Sequence, residues 1–290
     1  MFHKHLPVCS HRPWLLSAAL LWVLQFQMLA TAARAHSDVF LAQVNGQVAV
    51  GGANELGTLD ENFDLTTRVF EGVMISSFPP FNPADYGRDE PGFVALASGS
   101  AALPPEASAL PANSPVTIHL TPFTIGANSD SLFYWNGSGS VNFQPISSAQ
   151  PGIAMTIDPN PLVTTSGSGA LHEHAVFTID NGSAGVPADG VYLIAPTASV
   201  AGLADSQHFH MLWLVDSLLT DEDAAEGLED ALSNGESVYL GKDFGFFPAA
   251  ASYVESDLVP EPTAGTLCLL GLATCVGLVR RRSSTELRRA

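Results

Sequence analysis

The sequence predicts an all-β domain, a sandwich or jelly roll with one short C-terminal helix, set between a signal peptide and a C-terminal membrane helix. Three observations predict it. Short runs rich in β-branched and aromatic residues recur between Gly, Pro, Asn and Ser. A single segment carries a helical apolar period with stop and start signals at its ends. The two long uncharged apolar stretches lie at the chain termini.

Residues 1–35 read as the signal peptide. Lys4 and Arg12 make the n-region positive, Trp14 to Leu24 is an uncharged apolar run, and Ala33-Arg34-Ala35 places small residues where signal peptidase reads. The run is short for a span of about 20 residues, which favours cleavage over anchoring. The mature chain is then expected to begin at His36, and residues 36–258 to form one extracellular domain.

Within it the expected strands are Val39–Val44 with Gln47–Val50, Thr66–Phe70, Phe93–Ala97, Val116–Leu120, Leu132–Trp135, Ile153–Ile157, Ala175–Ile179, Gly190–Ala195 and Met211–Val215. Asn45-Gly46 between two apolar runs is the strongest hairpin signal. The spacing suits a sandwich or jelly roll. A helix is expected from Asp221 to Ser233, capped by Thr220 with Asp223 three residues on and stopped by Asn234-Gly235. Ala224, Ala225, Leu228, Ala231 and Leu232 form its apolar stripe. Phe78–Gly92 and Pro104–Pro115 read as loops. Within the first, Asp85 to Glu90 reads as a solvated acidic stretch rather than a Ca²⁺ loop, because the EF-hand spacing is missing. Phe133-Tyr134-Trp135 reads as strand core rather than a sugar platform.

All three cysteines, Cys9, Cys268 and Cys275, fall outside residues 36–258, so no disulfide is expected there despite an oxidising destination. Charge is lopsided. Of the chain's 29 acidic residues, only Glu261 and Glu286 lie outside the domain, and of its 11 basic residues only Arg68, Arg88 and Lys242 lie inside. That leaves 27 against three, a net charge of −24. Such a surface repels phosphate backbones and excludes nucleic acid as a partner. It is compatible with solubility in a salty exterior and with cations. There is no Gly-x-Ser-x-Gly in a strand-to-helix setting, no His-Glu-x-x-His and no phosphate loop with a lysine. A binding role is therefore expected ahead of an enzymatic one.

The histidines carry the chemistry. His172-Glu173-His174 and His208-Phe209-His210 are His-x-His pairs, and on a strand such a pair shows both imidazoles on one face. In the first, Leu171, Glu173, Ala175, Phe177 and Ile179 share the opposite, mostly apolar face. In the second both faces turn apolar past the histidines, as in a buried strand. On neighbouring strands the pairs would converge on one ion, with zinc or copper the metals that imidazole suits. Cleavage after Ala35 would also free the amino group of His36. The candidate metal ligands are thus His36, His172, His174, His208 and His210.

The tail, residues 259–290, has three parts. Val259-Pro260-Glu261-Pro262 precedes an uncharged stretch from Thr263 to Val279, and Arg280-Arg281-Arg282 follow. This is a short membrane helix with a positive cytoplasmic flank. Pro260-Glu261-Pro262, helix and Arg cluster together resemble the PEP-CTERM sorting signal of Gram-negative and planctomycete-type bacteria. The resemblance implies processing by an exosortase-type membrane enzyme and delivery to the cell surface or extracellular matrix.

Three weaker likenesses follow. The ectodomain is similar to an uncharacterised group of exported proteins from planctomycete-type bacteria. That likeness rests on His36-Ser37-Asp38-Val39, Asp89-Glu90-Pro91-Gly92-Phe93, His172-Glu173-His174, Asp189-Gly190-Val191-Tyr192-Leu193 and Gly202-Leu203-Ala204-Asp205-Ser206, and implies no activity. A terminal His36 resembles the histidine brace of lytic polysaccharide monooxygenases and copper-carrying periplasmic proteins, which implies a copper oxidase as an alternative. His172-Glu173-His174 also resembles the strand pair of cupins, but Ala175, Val176, Phe177 and Thr178 follow where a cupin has a glutamate ligand. A structural or adhesive matrix protein with incidental histidines is the remaining alternative.

Overall fold

A computed structural model describes residues 37–54, 62–76, 78, 85–180 and 185–259. The expected signal peptide, His36 and the tail with Pro260, Glu261, Pro262, Arg280, Arg281 and Arg282 lie outside the described residues. No helix among the described residues is long and apolar enough to cross a membrane.

The architecture is mostly β-sheet. The strands are β1 (Ser37–Val44), β2 (Gln47–Asn54), β3 (Asn62–Phe63), β4 (Val69–Ser76), β5 (Tyr86–Arg88), β6 (Phe93–Ala95), β7 (Val116–His119), β8 (Phe123–Ile125), β9 (Asn128–Asp130), β10 (Phe133–Trp135), β11 (Gln144–Pro145), β12 (Ala154–Asp158), β13 (Leu171–Glu173), β14 (Val176–Asp180), β15 (Gly190–Ile194), β16 (Thr197–Val200), β17 (His210–Val215), β18 (Val238–Tyr239) and β19 (Lys242–Asp243). One sheet has the order β13-β6-β1-β2-β3, and the other β11-β10-β15-β17-β4-β5-β14-β12. Three two-stranded ribbons accompany them.

The β1–β2 turn follows its sequence signal. Asn45 and Gly46 both take positive φ, 51° and 79°, as a two-residue hairpin turn of matching twist requires. Val39, Leu41, Val48 and Val50 then face the apolar cluster that both sheets share, together with Phe70, Met74, Phe177, Tyr192, Met211 and Trp213 from the larger sheet. Phe40 and Ala42 face the other way, into a small cluster with Ala53 and Phe63.

The centre of the larger sheet is buried on both faces. Its second face packs Val73, Phe133, Val191, Leu212 and Leu214 against Leu219, Ala225, Leu228, Phe244, Phe247 and Val254. All six residues of β17 are buried accordingly, as the doubly apolar pattern implies. Phe133 and Trp135 are core residues too.

Helix α2 (Glu222–Ser233) follows a short α1 (Ile146–Ala149) and precedes α3 (Phe246–Tyr253), which runs into a π-helical turn at Val254–Leu258. Pro248 is tolerated in α3 because it sits in the first turn, where its N–H would have no partner anyway. The cap of α2 is Asp221, not Thr220: the Asp221 carboxylate accepts the Ala224 N–H at 3.0 Å. A carboxylate there also meets the positive helix end. Gly235, at φ 78°, closes the helix while its N–H and that of Glu236 bond back to Leu232 and Ala231.

Three other expectations need correction. β4 begins at Val69 rather than Thr66, because Asp64 Oδ1 accepts the N–H groups of Thr66 and Thr67 at 2.6 and 2.7 Å and holds them in a turn. Tyr86–Arg88, expected in a loop, is a strand between β4 and β14. Tyr86 and Arg88 are buried, so the Asp85–Glu90 stretch is not a solvated loop. Finally, Leu171–Ile179 is not one strand. β13 lies in the smaller sheet and β14 in the larger, and the chain crosses between them at His174-Ala175.

Candidate metal centre

The crossing sets the site. β13 pairs with β6, and β6 runs parallel to β1. The register places His172, Val94 and Phe40 in one row across the three strands. Two residues further along, His174 and Gly92 lie just outside β13 and β6, level with Asp38 of β1. Side chains two apart share a face, so His172, His174 and Asp38 lie on the side of Phe40, away from the shared core.

Gly92 stands between the two flanking side chains and gives them room. A Cβ there would sit 3.0 Å from His174 Cε1 and 3.2 Å from Asp38 Oδ1. Its N–H instead donates to Asp38 Oδ1 at 2.7 Å. Asp38 Oδ2 remains, 3.9 Å from His172 Nε2. The two imidazoles meet Nε2 to Nε2 at 3.0 Å. One ligand atom from each of Asp38, His172 and His174 lies within 4.8 Å of the others, and among the described residues no other group of three such side chains does so.

Tetrahedral zinc with nitrogen and oxygen ligands at 2.0–2.1 Å needs them roughly 3.3 Å apart. The spacings bracket that value. His172 and His174 are exposed and bonded to each other, while Asp38 is held by the Gly92 N–H. Two imidazoles and a carboxylate suit zinc or copper. Three protein ligands leave a coordination position open, and a backbone N–H fixing the carboxylate is the outer-shell support such sites use.

The second pair does not join the first. β17 is separated from β14 by β4 and β5, and β13 lies in the other sheet. β17 begins only at His210, so the two rings are not presented as a strand pair. His208 is exposed and donates through Nδ1 to the Ala195 carbonyl at 2.6 Å. His210 is buried against Phe123, with Nδ1 unpartnered. Burial, and secondarily His208, holds its pKa down at about 4.

Asp38 and Gly92 escaped the sequence reading because neither stands near the histidines in the chain. No family model, curated protein or solved structure matches this chain.

Proposed function

We propose that the domain binds a transition metal, zinc or copper, through Asp38, His172 and His174. It acts as a non-enzymatic module on the cell surface or in the extracellular matrix. The observation that carries the reading is the convergence of a His-x-His pair with a carboxylate from a distant strand, across a glycine whose N–H orients that carboxylate. The scaffold we infer is a two-sheet sandwich. Export proceeds through signal peptidase, and an exosortase-type enzyme acts at Pro260-Glu261-Pro262 after membrane insertion of the tail helix.

Calorimetric titration of the mature protein with Zn²⁺ and Cu²⁺ tests it. The expected dissociation constant is below about 1 µM, roughly −8 kcal/mol, and binding is lost in the His172→Ala/His174→Ala variant. No binding of either metal would overturn the reading and leave a structural or adhesive protein. A second reading has one observation in its favour. His36 is two residues before Asp38 in the sequence, so a mature amino terminus there would adjoin the candidate site along the chain. Copper preference lost on adding one residue before His36 would support an N-terminal copper site.

A further inference from the structure

The three basic side chains of the domain are engaged in two ways. Arg88 is 1 % exposed and its guanidinium lies 3.1 Å from Glu90, 3.6 Å from Glu229 and 3.9 Å from Glu222. Lys242 is held between Asp216, which is fully buried, and Asp189. Arg68 is half-buried and donates through Nη1 to two carbonyls, those of Val50 and Thr67. Asp64 lies close enough for its charge to be felt, but its carboxylate is taken up by Thr66 and Thr67. Among the described residues Arg68 is thus the one lysine or arginine without a carboxylate in ion-pair contact. Its Nε and Nη2 make no hydrogen bond among the described residues. In a domain at −24 an arginine left open in this way points to a ligand.

Arg68 lines a cavity of about 330 Å³ along the outer edge of β2. Ala204 meets that edge at Val48, Asp64 at Gly52, and β3 at Ala53 and Asn54. At Val50 the Arg68 side chain reaches in instead, and its bonds to two carbonyls hold the guanidinium in place. Asn45 of the β1–β2 turn and Gln207 bring amide side chains, and Leu65 and Ala49 bring apolar surface. Glu106 lines the same cavity. It sits in a turn closed by the Ala107 N–H on the Pro104 carbonyl, pinned to β1 where Gln43 and Ser108 exchange backbone bonds at 2.8 Å. No ion pair joins Glu106 to Arg68 among the described residues, so one wall group of each sign is left for something else.

We propose that this cavity binds a small α-amino acid with an apolar side chain. The carboxylate lies on Arg68 Nε and Nη2, which form a fork matched to two carboxylate oxygens, and the ammonium is directed to Glu106. The volume is at the low end for ligand sites and suits a small molecule rather than a polymer. Net charge selects the zwitterion. A simple carboxylate approaches against −24 with nothing to offset the repulsion, whereas a molecule of zero net charge is not repelled at long range and satisfies both wall groups on arrival. This site shares no residue with the histidine–aspartate centre and does not rest on the metal reading.

The test is calorimetric titration of the mature protein with L-leucine, with a chelator present so that the histidine centre holds no metal. N-acetyl-L-leucine, which lacks the ammonium, and L-leucinamide, which lacks the carboxylate, are titrated beside it. L-leucine is expected to bind with a dissociation constant below about 1 mM. Each blocked compound should bind about tenfold or more weakly, the scale of one charge-assisted hydrogen bond. Glu106→Gln should weaken L-leucine by a similar factor and leave N-acetyl-L-leucine unchanged, and Arg68→Met should abolish binding of both. Circular dichroism checks that each variant folds, and if Arg68→Met does not, exposed Glu106 decides the matter. L-leucine binding weaker than about 1 mM overturns the proposal, as does N-acetyl-L-leucine binding equally well or an unchanged affinity in Glu106→Gln. Affinity lost in His172→Ala/His174→Ala overturns it too, because the ligand then sits at the other centre.

Discussion

Glu71 is a carboxylate placed where a carboxylate is costly. It stands on β4 between Val69 and Val73, on the face covered by the C-terminal helical segment, and Glu255 of the π-helical turn adds a like charge. Burial, and after it Glu255, pushes its pKa up to about 7 from an ordinary 4.5. Below pH 4.5 the group is protonated in folded and unfolded chains alike and costs nothing. As the pH rises from there to 7 the unfolded chain releases its proton first, and folding loses about 1.4 kcal/mol per pH unit. Above pH 7 the loss is complete, at about 3 kcal/mol. Replacing Glu71 by Gln keeps the shape and removes the charge. Any cost of an unsatisfied amide is independent of pH. Urea unfolding of both proteins at pH 4, 6 and 8 should show the variant gaining about 3 kcal/mol on the wild type between the first and the last. A difference that stays constant within about 0.5 kcal/mol would refute the reasoning.

Other substitutions report on other parts of the structure. Gly92→Ala should lower zinc affinity about 10- to 100-fold by pushing His174 and Asp38 apart, yet cost less than about 1 kcal/mol in urea unfolding, because exposed His174 gives way; equal zinc affinity would remove Gly92 from the site. His210, with its pKa held at about 4, keeps its ring neutral while the unfolded chain takes up a proton near pH 6.5. Stability is therefore lost as pH falls from 6.5 to 4, by about 3 kcal/mol, and His210→Phe should flatten that slope in unfolding curves at the two pH values. Arg88→Met should cost about 3–5 kcal/mol, because buried Glu229 loses its countercharge. Adding Glu229→Gln should restore part of that, and a double variant no more stable than the single one would show that the charge is not the cause.

Local signals carried well where the partner was also local. Asn45-Gly46 dictates its hairpin from two residues. The alternation of Leu171, Ala175, Phe177 and Ile179 correctly separates the core face from the histidine face, because burial acts on each side chain regardless of which sheet it enters. That same indifference hides the crossing at His174-Ala175: the period of two continues unchanged through it. Tyr86-Gly87-Arg88 looked like a loop because a charged residue between prolines is normally solvated. Its burial depends on Glu222 and Glu229, supplied by a helix much later in the chain. Asp38 had the same problem, since only the parallel pairing of β1 with β6 brings it to the histidines. His208-Phe209-His210 misled for a different reason: the strand begins inside the motif, so one ring is left at the surface and the other is carried into the core.

The engagement of Arg68, Arg88 and Lys242 also bears on proteolysis. Between residues 36 and 258 an enzyme that cleaves only after a basic residue has these three positions to use. Cutting at Arg88 means extracting a side chain that is 1 % exposed from between two paired strands. Cutting at Lys242 means breaking its hold on Asp216, and cutting at Arg68 means freeing it from two backbone carbonyls. Trypsin-like enzymes thus act on this domain at the pace at which it opens. Against enzymes of that specificity its lifetime is set by opening and not by nicks at the surface.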